Sequence, residues 1–377
     1  MLALLFWLSV AFVLYAYIGY PLILMALASL RCHPVRKGST TPTASFIITA
    51  YNEQTRISQK ILNTLHLEYP KGRLEILVAS DGSTDATDDI VQSFQERGVT
   101  LVRAPKHQGK ENAQKYAVER ASGEILVFSD VATILEPKAV LNIVSNFSDP
   151  TVGCVSSVDQ LIDPDGTISG EGAYVRYEMH LRRLESQVNS LVGLSGSFFA
   201  ARKEVCYPWH TDLQSDFVTL LNSVTQGFRG VLDPDSKGYY KNITSEKREL
   251  ERKIRTVVRG ISVLMRHLSL LNPLRYRLFS WQLFSHKLCR WLVPASLVLA
   301  FASNLFLTTA SGLLATLFVL QLGFYGLGVL GLFALSPVRR GFLILPSYFL
   351  LTNWAIIVAW YRYAHGDRYR VWQPSAR

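Results

Sequence analysis

A chain of 377 residues is long enough for one sizeable domain plus appendages, but a hydrophobic fraction of 49% is high for a soluble enzyme. The formal net charge of +10 suggests contact with a membrane surface more than with nucleic acid, because much of the basic excess lies between Lys237 and Arg290, beside apolar runs, and no nucleic-acid module is visible. Four cysteines without CxxC spacing predict reduced thiols and no zinc site.

Three long runs without a charged residue predict membrane-spanning helices. They cover residues 1–30, Leu292–Leu335 and Gly341–Tyr361. A helix needs about 20 apolar residues to cross a bilayer. The first and last runs therefore fit one crossing each, and the middle run fits two if it turns near residues 308–311. We expect one transmembrane helix over 1–30 and about three over 291–361.

Basic residues beside these runs indicate an orientation. The first run is followed at once by Arg31, His33, Arg36 and Lys37. Positive flanks stay in the cytoplasm, so we expect the polar body to lie in the cytoplasm. The membrane that anchors it is expected to be a bacterial inner membrane. A cleaved signal peptide is the alternative, but the run lacks a basic start and is too long.

The C-terminal end gives conflicting signals about topology. Arg339 and Arg340, between the last two apolar runs, agree with three C-terminal crossings. The basic polar tail over 362–377 does not, because an odd number of crossings places it outside. Either the last run re-enters without crossing, or the charge rule fails here.

The polar body, residues 43–235, alternates between two kinds of pattern. The segments ASFIITA, LEILVAS, GVTLVR and EILVFSD read as buried strands, and helical spacing lies between them. Strands that alternate with helices predict an α/β fold, a mostly parallel sheet with helices on both faces.

Polar residues follow three of these strands. Asn52 and Glu53 follow the first strand, Asp81 the second and Asp130 the fourth. Each alone could serve a turn or a helix cap. Because ligands bind at the carboxyl ends of the strands in such sheets, three polar ends on one edge predict a binding site.

Four motifs stand at or after the ends of these strands: ITAYNE, SDGSTDAT, GKENAQ and FSDVAT. Together they resemble the family-2 inverting glycosyltransferases of the GT-A fold, of the membrane-anchored bacterial type that makes cell-surface polysaccharide, and the resemblance covers about residues 43–259. It implies a nucleotide-sugar site formed by Ala50, Asn52, Glu53, Asp81, Lys110 and Asp130. It also implies that Asp130 belongs to a DxD motif that faces Mg²⁺ or Mn²⁺ and the diphosphate.

The DxD motif departs from the family pattern, because Ala132 stands where a second acid is usual. Mg²⁺ is often held by one or two carboxylates plus substrate phosphates, so one aspartate can suffice. The departure predicts weak metal binding without nucleotide and leaves open whether the metal is required.

Inverting transfer needs a base that deprotonates the acceptor hydroxyl. The resemblance assigns this role to Asp216, with Ser215 in place of the first acid of the family's pair. Asp216 could instead cap its helix, and Asp212 is a less well-spaced alternative. The segment GLSGSFFAARK resembles the family's acceptor segment, which assigns Gly196 and Ser197 to the acceptor, although an edge strand would also use small residues there.

The segment 236–290 is predicted to form amphipathic helices at the membrane interface. Arg252 and Arg255 share one helix face and stand where processive family members carry QxxRW, so the resemblance implies a diphosphate clamp. A face directed at lipid headgroups or solvent is the alternative. The pattern GLGVLG, which begins at Gly326, matches GxGxxG inside an apolar run, where helix packing explains it better.

These patterns predict a membrane-bound inverting glycosyltransferase. Its donor would be a nucleotide sugar, with a UDP-sugar favoured, and its acceptor a lipid-linked sugar or a glycan. A processive polysaccharide synthase is one alternative, disfavoured by the missing QxxRW. A non-catalytic membrane protein with a degenerate sugar-nucleotide fold is the other, favoured by Ala132 and Ser215.

Overall fold

The computed structural model describes residues 1–162, 173–241, 246–333 and 343–369. The predictions for Arg339, Arg340 and the tail after Tyr369 lie outside these residues. The chain divides into two compact units. The sheet unit comprises residues 24–244 and 262–279, and the helical unit comprises residues 1–23, 245–261 and 280–367.

The sheet unit contains one eight-stranded mixed sheet in the order β3-β2-β1-β4-β7-β6-β8-β5. The strands are β1 Ala44–Ala50, β2 Leu74–Ser80, β3 Val99–Arg103, β4 Ile125–Asp130, β5 Ile134–Leu135, β6 Val152–Ile162, β7 Phe198–Arg202 and β8 Arg229–Lys241. Strands β3, β2, β1 and β4 are parallel, as is the pair β6–β8. Strand β7 is antiparallel to both neighbours, and β5 to β8. The predicted α/β fold is confirmed, with a mixed second half.

Helices cover both faces of the sheet, which explains the continuous apolar strands. All seven residues of β1 are buried, as expected for a parallel strand with both faces covered. Phe46 and Ile48 pack in the core on one face, and Ile47 packs with Phe128 on the other. The helices of this unit are α3 Ile57–Leu65, α4 Thr87–Gln92, α5 Lys110–Arg120, α6 Ala139–Ser145, α7 Ala173–Val188, α8 Ser215–Thr225 and α10 Pro273–Tyr276.

The strand order places a topological switch between β1 and β4. From β1 the chain moves outward through β2 and β3, and β4 then returns to the other side of β1. Thr49 is level with Asp130, and Ala50 is level with Ser80. The loops after β1 and β4 therefore diverge and leave a crevice at the carboxyl ends of the strands, where open α/β sheets bind ligands.

Within the part of the chain that the structure describes, four helices are long and apolar enough to cross a membrane. Most of their length belongs to the helical unit. These candidate spans are Leu2–Leu30, Leu278–Leu305, Gly312–Phe333 and Ile344–Ala364. The first span combines α1 Leu2–Leu14 and α2 Tyr20–Leu30 across a π-helical turn. The second span combines α11 Leu278–Leu283 and α12 Arg290–Leu305 in the same way. The third span is α13, Gly312–Phe333, and the fourth is α14, Ile344–Ala364. The predicted turn near residues 308–311 separates α12 from α13. The boundary predicted at residue 290 lies inside the second span.

The glycine motif in α13 packs against α14, as the sequence predicts. A methyl group on Gly328 would overlap Leu350, and one on Gly331 would overlap Ser347, whereas one on Gly326 would meet nothing within 4 Å. Two of the three glycines therefore permit close helix approach.

Candidate active site

Asn52 joins the loops after β1 and β2. Its Oδ1 accepts from the backbone N–H of Thr84 at 2.8 Å, and its Nδ2 donates to the Thr84 hydroxyl at 3.2 Å. Its φ of +50° is a left-handed conformation that asparagine tolerates better than most residues. The predicted nucleoside-binding residue therefore lies at the crevice and fixes its rim.

Glu53 is nearly fully buried at the start of α3. Its two carboxylate oxygens accept from Nε and Nη2 of Arg56 at 2.7 and 2.8 Å. Burial raises the pKa of Glu53, against the opposing effect of Arg56. These contacts make Glu53 an anchor of the β1–α3 turn, and its contact with a nucleoside stays a prediction.

Asp81 is fully buried and organises the loop before α5. Its carboxylate accepts from the backbone N–H groups of Gln108 and Gly109 at 3.1 and 2.8 Å, and lies 2.8 Å from Nδ1 of His107. The backbone N–H of Asp81 donates to Ala50, the last residue of β1. Asp81 therefore supports this loop, and its own contact with a nucleoside stays a prediction.

An aromatic pair that the sequence did not reveal lies on this support. The rings of Tyr51 and His107 are stacked, with centroids 3.8 Å apart and planes 10° apart. Both residues are partly exposed. Their pairing depends on the loop that Asp81 holds, because that loop carries His107. His107 lies 56 positions along the chain from Tyr51, so no local sequence pattern predicts the pair.

Lys110 links the end of β4 to the small-residue segment. Its Nζ donates to Oδ1 of Asp130 at 2.5 Å and to the carbonyl oxygen of Gly196 at 2.9 Å. The backbone N–H of Asp130 donates to the carbonyl oxygen of Ser197 at 3.0 Å. The side chain of Lys110 is 10% exposed and that of Asp130 is 29% exposed, so the carboxylate can meet a ligand from the crevice.

Two groups from neighbouring elements hold the segment that contains Gly196 and Ser197. Oδ1 of Asp159, on β6, accepts from the hydroxyls of Ser195 and Ser197 at 2.5 and 2.6 Å. Nη2 of Arg182, on α7, donates to the carbonyl oxygen of Gly193 at 3.1 Å. The Ser197 hydroxyl therefore has a structural contact in addition to its predicted place beside the acceptor.

Asp216 lies in the first turn of α8 and is buried. Gln214 occupies the N-cap position, and its Nε2 donates to Oδ2 of Asp216 at 3.1 Å. A methyl group on Gly196 would lie 3.5 Å from the same oxygen. The alternative base, Asp212, instead forms an ion pair with Arg266 at 3.0 Å. The sheet unit thus brings together Asp130, Lys110, Gly196 and Asp216.

The two predicted clamp residues lie on α9, Glu246–Arg266, in the part of that helix that belongs to the helical unit. Arg252 forms an ion pair with Glu249 at 2.7 Å. Ile254, Val258 and Ile261 are buried on the same helix, as its amphipathic pattern indicates. The role of Arg252 and Arg255 as a diphosphate clamp stays a prediction.

Lys60 is a fully buried lysine beneath the loop that follows β4. Its Nζ donates to the Ser129 hydroxyl at 2.8 Å and to the carbonyl oxygen of Thr133 at 2.6 Å. Burial lowers its pKa to about 7, although the charge of Asp130 opposes the shift. Sequence reasoning missed Lys60, yet its spacing from the core residues Ile57 and Ile61 places it in the apolar stripe of α3, which is the signal that reveals it.

We expect Lys60 to make stability depend on pH. Its pKa lies below the ordinary value of 10.5, so between about pH 7 and pH 10.5 the unfolded chain binds a proton that the folded chain does not. The folded state should therefore gain stability as the pH rises through this window, relative to Lys60→Met, by up to several kcal/mol.

Thermal unfolding of the detergent-purified protein at pH 7 and pH 9 measures this dependence. The midpoint of the wild type should rise relative to that of Lys60→Met, whereas the exposed-lysine control Lys71→Met should follow the wild type. Parallel pH profiles for the wild type and Lys60→Met would show that Lys60 does not titrate in this window.

Asp130 is the partly exposed carboxylate at the end of β4 that a divalent cation could reach. Across residues 1–162, 173–241, 246–333 and 343–369, no three His, Cys, Asp or Glu side chains lie together as a metal site. Asp130 alone fits Mg²⁺ or Mn²⁺ only when nucleotide oxygens and water complete the coordination shell.

The sequence pattern of the family described as "Glycosyl transferase family 2" matches residues 45–207, which contain β1, β2, β4 and Asp130. This segment is a glycosyltransferase family 2 domain. The match ends before Asp216 and α9, so it does not include the predicted base or the clamp.

Relatives of this domain include polysaccharide synthases. A poly-β-1,6-N-acetyl-D-glucosamine synthase of Staphylococcus epidermidis is 27% identical over 185 residues, which are 47% of this chain and 44% of the relative. The synthase of the same name from Staphylococcus aureus is 26% identical over the same shares. The match thus spans less than half the length of these curated relatives.

A solved structure extends the likeness to almost the whole chain. The mannosyltransferase PcManGT of Pyrobaculum calidifontis, in complex with GDP-Man and Mn²⁺, superposes with a TM-score of 0.75 and 21% identity. The superposition covers 97% of this chain and all of that one. The likeness is one of fold, and the GT-A fold predicted for the family 2 domain is confirmed.

Proposed function

We propose that this chain is a membrane-bound inverting glycosyltransferase of cell-surface glycan synthesis. It would move a sugar from a nucleotide-sugar donor to a lipid-linked sugar or a glycan. The observation that carries the proposal is the position of Gly196. Its carbonyl oxygen accepts from Lys110, which also contacts Asp130, and its Cα faces Asp216. The groups proposed for the diphosphate and for the acceptor thus meet around one backbone position.

The diphosphate of the donor would lie at Asp130 and Lys110. Asp130 would hold Mg²⁺ or Mn²⁺ with the diphosphate oxygens, and the ion would neutralise the leaving group. The Lys110 ammonium, released from Asp130 when the cation takes its place, would remain close enough to contact a phosphate oxygen. Arg252 and Arg255 are proposed as a further clamp, because guanidinium groups match phosphate geometry.

The nucleoside would lie over the edge formed by the ends of β1 and β2. Ala50 and Asn52 would border it, and Asp81 would hold the Tyr51–His107 pair beneath it. A stacked aromatic pair offers a planar apolar surface, which suits a nucleobase. A UDP-sugar is the favoured donor, and GDP-sugars belong in the same test because PcManGT is solved with GDP-Man.

Asp216 would act as the base. As the acceptor hydroxyl attacks the anomeric carbon, its proton passes to the Asp216 carboxylate. The new carbon–oxygen bond forms while the bond from the anomeric carbon to the diphosphate breaks on the opposite face, so configuration inverts. The Gln214 amide, 3.1 Å from Oδ2, would orient the carboxylate, and Gly196 and Ser197 would border the acceptor without a bulky side chain.

The membrane helices and the charges beside them support a location for the proposed activity. Four candidate spans fit an integral membrane protein, and the basic residues after the first span favour a cytoplasmic sheet unit in a bacterial inner membrane. A processive synthase is the second candidate, because the curated relatives are named as polysaccharide synthases. Because the sequence lacks QxxRW, we prefer an enzyme that transfers a single sugar and then releases its product over a processive synthase.

The test is turnover of a panel of UDP- and GDP-sugars by the detergent-purified protein with added membrane lipid extract. Each donor is assayed with Mg²⁺, Mn²⁺ or EDTA, and released nucleoside diphosphate is quantified. We expect one donor to turn over, and faster with a divalent cation. Binding of a nucleotide sugar without turnover of any donor would contradict the enzyme and favour the non-catalytic alternative.

A further inference from the structure

A cavity of about 590 Å³ lies in the sheet unit, where the chain leaves the first candidate membrane span. It is distinct from the crevice at the ends of β1 and β4. Its lining includes Leu27, Arg31, Arg36, Val188, Arg229 and Leu278, together with one acidic residue, Asp149. Apolar and basic groups thus line the same space.

The apolar part of the lining comes from the ends of two candidate spans. Leu27 lies in the last turn of the span Leu2–Leu30, and Leu278 is the first residue of the span Leu278–Leu305. The ends of membrane-spanning helices lie at the depth of the lipid headgroups. The cavity therefore occupies the level at which an acyl chain meets a headgroup.

The basic part of the lining is held in place by the protein. The backbone N–H of His33 donates to the carbonyl oxygen of Gln187 at 2.9 Å. Nη1 of Arg229 donates to the carbonyl oxygen of His33 at 2.9 Å. The segment that carries Arg31 and Arg36 is therefore fixed against α7 and β8.

Some basic residues in and beside the cavity form ion pairs with carboxylates, and others do not. Arg229 pairs with Asp149 at 3.1 Å, and Lys37 pairs with Asp233 at 2.6 Å. Among the residues that the structure describes, no carboxylate forms an ion pair with the guanidinium of Arg31 or of Arg36. The Asp149 carboxylate, which also lines the cavity, accepts from the backbone N–H of Arg36 at 3.4 Å and is paired with Arg229. The exposed guanidinium groups of Arg31 and Arg36 are thus left available for a ligand anion.

We propose that this cavity binds the headgroup of an anionic phospholipid. The guanidinium groups of Arg31 and Arg36 contact the phosphate, for which arginine has the matching donor geometry. The first carbons of the acyl chains pack against Leu27 and Leu278. The site is independent of sugar transfer, and it makes the stability of the folded chain depend on anionic lipid.

The test is a thermal-stability titration of the full chain in a neutral detergent. Phosphatidylglycerol, phosphatidylcholine and glycerol 3-phosphate are added separately. We expect phosphatidylglycerol to raise the unfolding midpoint at the lowest concentration. The double variant Arg31→Gln/Arg36→Gln should need about tenfold more phosphatidylglycerol for the same shift. The matched double variant Arg97→Gln/Arg120→Gln, which removes two exposed charges elsewhere in the sheet unit, should behave as the wild type.

Two results would overturn the proposal. Equal losses in the two double variants would show that only net charge matters. An equal shift with glycerol 3-phosphate would show that the ligand is a soluble phosphate. If the Arg31/Arg36 double variant does not fold, the single variants Arg31→Gln and Arg36→Gln replace it, and unchanged phosphatidylglycerol titrations in both would equally overturn the site.

Discussion

Replacing Asp216 by asparagine is expected to lower sugar transfer by about a hundredfold to ten-thousandfold, the range that a general base contributes. The amide cannot take the proton of the acceptor hydroxyl, but it preserves the shape of the side chain beside Gly196. Donor affinity should therefore stay close to that of the wild type. Transfer of a radiolabelled sugar to extracted membrane lipid measures the rate, and a donor titration measures the affinity.

Asp212→Asn is the matched control for this prediction. It removes a carboxylate four positions earlier, but one that pairs with Arg266 at 3.0 Å rather than facing Gly196. Transfer by Asp212→Asn should remain near the wild-type rate. A larger loss in Asp212→Asn than in Asp216→Asn would assign the base to Asp212 and contradict the placement around Gly196.

Replacing Asp130 by asparagine is expected to reduce metal-dependent turnover by about two orders of magnitude, because the proposed metal site loses the carboxylate that would hold the cation. The asparagine can still accept from Lys110, so the fold around Gly196 should be preserved. Turnover measured against Mn²⁺ concentration, with donor at saturation, separates weakened metal binding from a lower maximal rate.

The variant Ala132→Asp tests the same metal site in the opposite direction from Asp130→Asn. It restores the acid that the DxD motif lacks, two positions after Asp130, and should lower the Mn²⁺ concentration needed for half-maximal turnover. Equal turnover of the wild type in EDTA and in saturating Mn²⁺ would contradict a metal at Asp130. Lys110, which already contacts that carboxylate at 2.5 Å, would then be the cation at the diphosphate.

The features that could be predicted from sequence are those with strong local patterns. Strands β1, β2 and β4 read as largely apolar runs because both faces of a parallel sheet are covered. The candidate spans are visible as long apolar runs, although the second begins before the charge-free run and contains Lys287 and Arg290. The strand-end positions of Asn52, Asp81 and Asp130 follow from the same runs, since polar residues begin where each buried strand stops.

The features that could not be predicted depend on contacts between distant segments. Nothing local in EILVFSDVAT indicates that Lys110 bridges Asp130 to Gly196, or that Lys60 lies beneath this loop. Asp159 holds the Gly196 segment across 36 and 38 positions. Asp81 matched a family motif, but the motif does not reveal its contacts with the loop 107–109, and its contact with a nucleoside stays a prediction.

The anomeric configuration of the product tests the central claim most directly. Membranes containing the wild-type protein would be supplied with the donor found in the turnover panel, ¹³C-labelled at the anomeric carbon, and the labelled product would be analysed by NMR. An α-linked donor should give only β-linked product, because the acceptor that Asp216 deprotonates attacks opposite the diphosphate. A product that keeps the α configuration would contradict single displacement at this site, and equal product formation by membranes containing Asp216→Asn would contradict Asp216 as the base.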